Sequence, residues 1–286
     1  MELSQQQLNF FHTFGYLLIQ QAFSGPETSK IINAFEWSIQ NYGGGPDHDG
    51  SSRTMFPGPI EHHEDLCALM DYPVILGLIG GVAGEDFYYA GGDGNYYTGD
   101  THWHPDGGWG RLLATKTAFY LDPLAADSGA LRVIPGSHRP DHVIRREKIN
   151  VNDSINLFGV PSTEFPGSTV IPTDPGDVII FNHDLYHASF GGGQRRRMFT
   201  MNCTIKPKTS EEEELVSRYF RTHTPGSNNY VTGAGMYYPR LIETANENRM
   251  VHMERPMEIH DEFFPTWRLS RDAEIAFMGR HGRLEN

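Results

Sequence analysis

The feature that most constrains the fold is a series of short period-two runs between residues 86 and 206, separated by Gly, Asp or Pro turns. Alternation of apolar and polar residues is typical of β-strands that bury one face, and many such strands at close spacing favour a sandwich or barrel. The 31 glycines and 18 prolines of the 286 residues also fit a turn-rich β fold better than a helical bundle. The predicted strands are 86–90, 95–98, 116–121, 131–134, 177–182 and 198–205.

Helical patterns flank this β-rich region, together with one early strand at about 16–20. Ser4 can cap the first helix, and Ser210 begins a capping pattern with the glutamates that follow it. We therefore expect one domain over 1–286. The predicted helices are 5–14, 25–42, 65–70, 73–82 and 211–220, so the parts are N-terminal helices in 1–82, a β core at about 86–206, and a C-terminal helix and extension in 210–286.

Two segments give weaker patterns. The stretch 46–60 is rich in Gly, Asp, Ser and Pro and is expected to be a long loop. His48 and Arg53 could face a substrate from this loop, although an exposed loop charge usually only meets water. The tail from residue 221 has no clear period, and it could either cover an active site or form a homodimer contact.

Composition limits the classes of partner. The formal net charge is -13, so nucleic acid is not an expected partner, since binding it requires a basic face. Cys67 and Cys203 are far apart and offer neither a disulfide framework nor a CxxC metal site. We find no signal peptide and no apolar stretch near 18 residues, so we expect a cytoplasmic protein with no membrane segment.

His104 and Asp106 are the first candidates for chemistry. They are two apart, so on an extended strand their side chains leave the same face and could hold one divalent metal. A catalytic metal needs a third ligand. His183 and His187 compete for that role, and His187 is favoured because a glycine turn and the basic run 195–197 follow it. Two histidines and one carboxylate form the facial triad of non-haem Fe(II) oxygenases.

The basic run 195–197 suggests a second component of such a site. A guanidinium on a strand adjacent to the metal could bind the far carboxylate of a dicarboxylate co-substrate through two hydrogen bonds. The competing interpretation is a solvated charge cluster on a hairpin, and it is expected to hold for two of the three arginines.

Several short motifs together resemble the phytanoyl-CoA dioxygenase family of Fe(II)/2-oxoglutarate oxygenases. The similarity begins in the N-terminal helix and strand and extends to about Lys206, whereas the tail beyond Phe220 matches nothing in that family. The motifs are His104-Pro105-Asp106, Leu121-Asp122-Pro123, Ser128-Gly129-Ala130 continuing to Pro135-Gly136-Ser137-His138, Pro175-Gly176-Asp177, and His187-Ala188-Ser189 with the arginines.

The resemblance implies a mainly β fold with flanking helices, built on a double-stranded β-helix (jelly-roll) core. It implies that His104, Asp106 and His187 bind Fe(II), and that Arg196 binds 2-oxoglutarate. Because the loop after the distal histidine is a residue or two shorter than is common, Arg197 stays an alternative to Arg196.

Further residues are assigned more weakly. Ser189 matches a hydroxyl that the family often places near the co-substrate, and Tyr97 and Tyr120 lie on strands expected to flank the pocket. His102 shares the parity of His104 and is the leading candidate for a substrate contact, with even odds against a structural role. Trp103 has the opposite parity and is expected in the core.

The activity implied is oxidation, by hydroxylation, of an unactivated C–H bond of a small metabolite, with Fe(II), 2-oxoglutarate and O2 as cofactors and succinate and CO2 as by-products. Desaturation, cyclisation and epimerisation use the same cofactors and stay open, whereas Asp106 argues against halogenation. A zinc hydrolase or cupin-type enzyme with the same triad is a second class, and a non-catalytic jelly-roll binding protein is a third. The substrate cannot be read from any motif.

Overall fold

The computed structural model describes residues 2–107, 112–223 and 235–263, and two antiparallel β-sheets form its centre. This is the double-stranded β-helix with flanking helices that the sequence predicts. The strands are β1 Tyr16–Ile19, β2 Thr54–Pro57, β3 Tyr88–Tyr89, β4 Asp93–Tyr97, β5 Thr101–His104, β6 Ala114–Tyr120, β7 Leu131–Val133, β8 Thr169–Ile171, β9 Val178–Asn182, β10 His187–Ser189 and β11 Arg196–Thr204.

The larger sheet has the order β1-β9-β6-β11-β4-β2, and β3 pairs with β11 as well. Its two faces are chemically different because successive side chains alternate along each strand. On β11, Phe199 and Met201 belong to the core beneath the helices, whereas Met198 packs toward the smaller sheet. Phe199 lies opposite Phe119 of β6, and the two rings stack with centroids 4.5 Å apart. Even-numbered residues of β6 and β11 therefore face the space between the sheets.

The smaller sheet has the order β5-β10-β7-β8. Its residues Leu131, Val133 and Ile171 form one apolar cluster with the inner face of the larger sheet. The cluster fills part of the space between the sheets, and the remaining part holds polar side chains. All four of these strands have only three or four residues, and sequence periodicity did not predict β8 or β10.

Helices cover the outer face of the larger sheet. Ser4 and Gln7 form a capping box at the first helix, which ends at Gly15, so the predicted N-terminal helix is confirmed. The α-helices are α1 Gln5–Phe14, α2 Gly25–Tyr42, α3 Glu64–Cys67, α4 Pro73–Ala83, α5 Val143–Arg146, α6 Ser154–Phe158, α7 Ser210–His223, α8 Pro239–Glu243, α9 Glu247–Met250 and α10 Glu254–Phe263, and short 3-10 helices span Gly45–Asp47, Ala68–Asp71, Val151–Asp153 and Ser162–Glu164.

The expected loop at 46–60 is wrong in part. It contains β2, which pairs antiparallel with β4 and so forms the edge of the larger sheet. Phe56 on this strand is fully buried under the helices. The strand was missed because its four residues include Pro57, and a proline within a short run indicates an edge strand at most.

The capping residue of helix α7 lies one position earlier than predicted. Thr209, rather than Ser210, accepts a hydrogen bond from Glu212 N (3.2 Å), and the Glu212 side chain accepts one from Thr209 N (3.2 Å). Residues 235–263 then return to the core, where Tyr237 stacks on Tyr89 of β3. The predicted cover or dimer contact of the tail concerns 224–234 and 264–286 as well, and these residues lie outside the described ones.

No single helix among the described residues is long and apolar enough to span a membrane. Glu64–Asp71 and Pro73–Ala83 meet the length and composition requirement only together, and they are bent by 51° at the break between them.

Candidate metal centre

Two histidines on neighbouring strands face each other between the sheets. His104 is the last residue of β5 and His187 is the first residue of β10. The strands pair antiparallel with these two residues directly opposite, and their ring centroids lie 4.4 Å apart. The ladder of the smaller sheet therefore brings together two side chains that are distant in sequence.

Asp106 completes the group from the turn after β5. One of its carboxylate oxygens, Oδ1, lies 3.7 Å from His104 Nε2, and the other, Oδ2, lies 3.5 Å from His187 Nε2. One ligand atom from each of the three residues lies within 4.8 Å of the other two. Ligand atoms about 2.1 Å from one metal and at right angles lie about 3 Å apart, so small side-chain movements would bring these atoms onto one ion.

Hydrogen bonds fix how the two imidazole rings present their nitrogens. His104 Nδ1 lies 2.7 Å from the carbonyl oxygen of His102, and His187 Nδ1 lies 3.0 Å from that of Leu185. A carbonyl accepts only, so each Nδ1 carries the proton and each Nε2 presents a lone pair. The two Nε2 atoms and the carboxylate are all hydrogen-bond acceptors, so none of the three can donate to another. A divalent cation between them would bind all three. The donor set therefore fits a metal such as Fe(II).

The charges around Asp106 keep it ionised. Lys116 Nζ lies 2.8 Å from Asp106 Oδ2. Burial by itself would raise the pKa of Asp106, but the charges of Lys116 and then His187 hold that pKa far below its ordinary value. Burial lowers the pKa of His187 to about 4, so its ring is neutral at pH 7. The group thus offers one carboxylate and neutral imidazole, the forms in which these residues bind metals.

Arg196 lies in the same cavity, at the end away from the turn after β5. Its side chain is only 5% exposed, its Nη1 donates to the carbonyl of Gly129 (3.0 Å), and its Nε has no hydrogen-bond partner among the described residues. A Cβ on Gly129, whose φ is +93°, would lie 1.9 Å from Arg196 Nη1. This glycine therefore leaves the room that the guanidinium occupies.

Arg197 and Arg195 lie elsewhere. Arg197 has odd parity on β11 and points to the helical side, where it donates to Asp122 Oδ1 and to Glu36 Oε1 (3.0 Å). Arg195 donates to the other oxygen of Glu36 (2.8 Å) and is half exposed. Both arginines already have carboxylate partners, whereas Arg196 lies inside the cavity and pairs with no carboxylate among the residues that the structure describes.

The other predicted contacts of the co-substrate surround Arg196. Ser189 is buried and donates to the same Gly129 carbonyl (2.9 Å). The Tyr97 ring lies 5.1 Å from the Arg196 guanidinium carbon, and Tyr120 is buried on the same wall of the cavity. The structure brings these residues together as the sequence led us to expect, and their roles stay predictions.

His102 lies outside the lining of this cavity. A β-bulge in β5 sets Thr101 opposite Ser189 while His104 stays opposite His187, so one extra residue interrupts the alternation. Thr101 and His104 consequently face the cavity, His102 is exposed, and Trp103 is buried in a separate cluster as predicted. The parity argument for His102 is therefore wrong, although its role as a substrate contact is untested.

His183, the competing ligand, is not part of the cluster of three ligand atoms. Its Nε2 lies 3.2 Å from Asn202 Oδ1, and its carbonyl accepts a hydrogen bond from Gly107 N (2.9 Å). The latter bond ties the turn that carries Asp106 to the end of β9. His183 thus supports the geometry of the site from the neighbouring sheet.

A wider chamber, called here the outer chamber, opens on the other side of the metal group with a volume of about 300 Å³. The rest of its wall is mostly polar, and the sequence patterns did not predict most of it. A lysine within an apolar central strand was the available signal, because lysine is almost never buried unless it is paired. The residues of this wall that matter below are Arg53, Asp93, Lys116, His183 and Asn202.

Comparisons with known proteins agree with this geometry. The phytanoyl-CoA dioxygenase (PhyH) family model matches residues 91–198, which include the two histidines, Asp106 and Arg196. No curated protein matches the chain in sequence.

Solved structures share the fold at low sequence identity. HygX from Streptomyces hygroscopicus, with nickel and 2-oxoglutarate bound, is 17% identical, and the match covers 72% of this chain and 88% of HygX with a TM-score of 0.58. SnoK from nogalamycin biosynthesis, a non-heme alpha ketoglutarate dependent carbocyclase, is 20% identical over 71% of this chain and 84% of SnoK (TM-score 0.55). EctD from S. alaskensis, with 2-oxoglutarate and 5-hydroxyectoine, is 19% identical over 71% of this chain and 76% of EctD (TM-score 0.55). At these identities the likeness establishes the jelly-roll fold.

Proposed function

Residues 91–198 make this chain a member of the phytanoyl-CoA dioxygenase (PhyH) family of Fe(II)- and 2-oxoglutarate-dependent oxygenases, and from that premise we propose that it hydroxylates a small hydrophilic metabolite. The reaction would oxidise an unactivated C–H bond and convert 2-oxoglutarate and O2 into succinate and CO2. The observation that carries the proposal is a single cavity that holds His104, Asp106 and His187 with the buried Arg196 at its inner end.

The roles follow from the geometry. The three clustered residues would hold Fe(II) through two Nε2 atoms and one carboxylate oxygen, which leaves positions open for the co-substrate and O2. Arg196 would bind the distal carboxylate of 2-oxoglutarate, because its guanidinium is buried and no carboxylate in the described part of the chain pairs with it. Ser189 donates to the carbonyl that also holds Arg196, so a small rotation would turn its hydroxyl toward the same ligand.

The bound metal and 2-oxoglutarate would supply an oxidant strong enough to remove hydrogen from carbon, and the protein would position the substrate. The outer chamber, which His104 and Asp106 also line, would receive that substrate. Its charged and amide side chains favour a hydrophilic ligand, since an apolar chain would displace the water around these groups without replacing its hydrogen bonds. A long acyl chain is a poor fit, and the net charge of -13 disfavours the phosphates of a CoA thioester.

Other outcomes of the same chemistry are the nearest alternatives. Structures with this fold include a carbocyclase and an epimerase, so cyclisation, epimerisation and desaturation are alternatives to hydroxylation. The third class, a non-catalytic binding protein, is disfavoured because the triad and Arg196 are all in place. A homodimer contact through the C-terminal extension and a cytoplasmic location stay predictions.

Anaerobic spectroscopy tests the proposal. Adding 2-oxoglutarate to the Fe(II)-loaded protein should produce a metal-to-ligand charge-transfer band, and a bound substrate should shift that band. Hydrophilic metabolites are screened as candidate substrates in this way, and those that shift the band are then incubated with O2. A product that has gained one oxygen atom, with succinate formed in equal amount, is expected. A band that does not depend on 2-oxoglutarate would contradict the proposed cofactor site, and a product without added oxygen would select one of the alternatives.

A further inference from the structure

Lys116 lies between two carboxylates in the wall of the outer chamber. Its Nζ is 2.8 Å from Asp106 Oδ2 and 4.0 Å from Asp93 Oδ1, and its side chain is 15% exposed. It lies on β6, a central strand of the larger sheet, with the inward parity of Tyr120. A position there would otherwise suit an apolar residue, so the ammonium group needs a reason beyond packing.

Asp93 does not need Lys116 in order to be satisfied. Its Oδ2 accepts hydrogen bonds from Arg53 Nη2 (2.9 Å) and Asn95 Nδ2 (2.7 Å), and its Oδ1 accepts one from Thr200 Oγ1 (2.8 Å). This carboxylate is thus held rigidly by three neighbours. It forms a fixed anion behind the ammonium of Lys116, and it limits how far that ammonium can approach Asp106.

We propose that Lys116 is a positioning residue for the metal ligand Asp106, an inference that rests on the proposed metal site. The ammonium holds Oδ2, so the carboxylate offers the metal one oxygen, Oδ1. Carboxylates can also bind a metal through both oxygens. Binding through both would take up a position that 2-oxoglutarate or O2 requires, and Lys116 prevents this.

The contact between Lys116 and Asp106 would lower the metal affinity, although it keeps the carboxylate bound to the metal through one oxygen only. An ammonium that contacts the same carboxylate as a divalent cation repels the cation and competes with it, and this repulsion is strong in a buried site. A merely structural lysine would act in the opposite direction, because its loss would disorder the carboxylate and weaken metal binding. The sign of the change in metal affinity therefore separates the two roles.

Calorimetric titration of the metal-free protein with Mn(II) measures whether a substitution raises or lowers the metal affinity, and it does not depend on enzyme activity. Lys116→Met should bind Mn(II) about tenfold more tightly than the wild type, since a nearby positive charge is removed. Lys116→Arg should stay near the wild type. Lys206→Met, which removes an exposed ion pair with Asp86, is the matched control and should leave Mn(II) affinity unchanged.

At saturating Fe(II), Lys116→Met should form succinate more slowly than Lys116→Arg. Unchanged or weaker Mn(II) binding by a folded Lys116→Met protein would overturn the proposal.

Asp93→Asn provides a second route that does not depend on the folding of Lys116→Met. Without the anion behind it, the ammonium should bind Asp106 more firmly, so Mn(II) affinity should fall by about threefold or more. In the Lys116→Met background the same change should have a smaller effect. Equal effects in both backgrounds would contradict the proposal.

The Asp106→Asn variant distinguishes a failure of this proposal from a failure of the proposed metal site. If Asp106→Asn binds Mn(II) like the wild type, the metal site itself is wrong. If Asp106→Asn loses Mn(II) binding while Lys116→Met binds like the wild type, only the role of Lys116 is wrong.

Discussion

Asp106 and Glu61 are two carboxyl groups of the protein interior with opposite surroundings. Asp106 has a cation, Lys116, at 2.8 Å. Glu61 is fully buried, and the hydrogen bonds that it accepts come from neutral donors, Tyr89 Oη (3.0 Å) and Tyr238 N (2.9 Å). Burial raises the pKa of Glu61 to about 7 because these donors only partly offset the loss of hydration, whereas the pKa of Asp106 is lowered.

The difference between the two pKa values distinguishes a metal ligand, Asp106, from a structural carboxyl group, Glu61, which is called the anchor below. A carboxylate kept ionised beside neutral imidazoles is prepared to bind a cation. A carboxyl that titrates near neutral pH and holds the backbone of Tyr238 instead fastens the C-terminal segment 235–263 to the core. Both carboxyl groups are shielded from solvent, Glu61 completely and Asp106 except for 19% of its side chain, so their difference lies in the charge of the neighbouring groups.

The matched substitution of each carboxylate by its amide gives the largest contrast. Asp106→Asn should weaken Fe(II) or Mn(II) binding by about 100-fold or more and remove 2-oxoglutarate turnover, because a neutral amide is a poor metal ligand. Glu61→Gln is the control and should bind metal like the wild type. Calorimetry and succinate formation measure both. Equal losses in the two variants would remove the distinction between ligand and anchor.

The same contrast can be sharpened with two adjacent arginines. Arg196→Met should raise the 2-oxoglutarate concentration needed for half-maximal turnover by about 100-fold, since two charged hydrogen bonds contribute about 3 kcal/mol. Arg197→Met should leave this requirement near the wild-type value, because Arg197 already pairs with Asp122 and Glu36. Steady-state kinetics at saturating Fe(II) measure both variants, and the reverse result would transfer the role to Arg197.

Glu61 should make stability depend on pH. Its pKa is about 7 in the folded protein against an ordinary value of 4.5. The unfolded chain therefore releases the proton first, and stability falls as pH rises from about 4.5 to 7. Glu61→Gln lacks this group, so its stability relative to the wild type should improve by about 3 kcal/mol across that range. Urea unfolding at several pH values measures the difference, and a difference that does not change with pH would refute the shifted pKa.

The smallest effect should come from a donor to Glu61. Tyr89→Phe removes the hydroxyl that donates to Glu61 Oε1, at a cost of about 1 kcal/mol. The loss should be greater at pH 8 than at pH 5, because the ionised carboxylate depends more on its donors. Metal affinity should be unaffected. Urea unfolding with parallel Mn(II) titration tests this, and altered Mn(II) binding would show that the two carboxylate regions are coupled.

The long, regular elements could be predicted from the sequence. The helix capped by Ser4 and the strands β6, β9 and β11 have enough residues to show their periodicity. Strands such as β8 and β10 have three residues each, and they exist because a partner strand supplies their hydrogen bonds. The choice between Arg196 and Arg197 could also have been made from parity, because Phe199, an odd-numbered core residue of the same strand, marks the side that faces the helices.

Other parts of the site depend on contacts that no local pattern contains. The bulge in β5 follows from pairing with β10, so the alternation that favoured His102 over Thr101 was misleading. The pair of Lys116 and Asp106 joins a strand of one sheet to a turn after a strand of the other. Glu61 lies between the loop expected at 46–60 and the helix expected at 65–70, and its partner Tyr238 belongs to the tail, where the sequence shows no period.

The direct pairing of His104 with His187 has a consequence for the behaviour of the whole chain. An ion bound by both rings would hold the two ends of the long stretch between them together in the folded protein, and it would stabilise the folded state because the unfolded chain does not keep the site. Iron loading would then govern how readily proteases cut within that stretch, so digestion patterns could report the metal content of the protein in a crude extract.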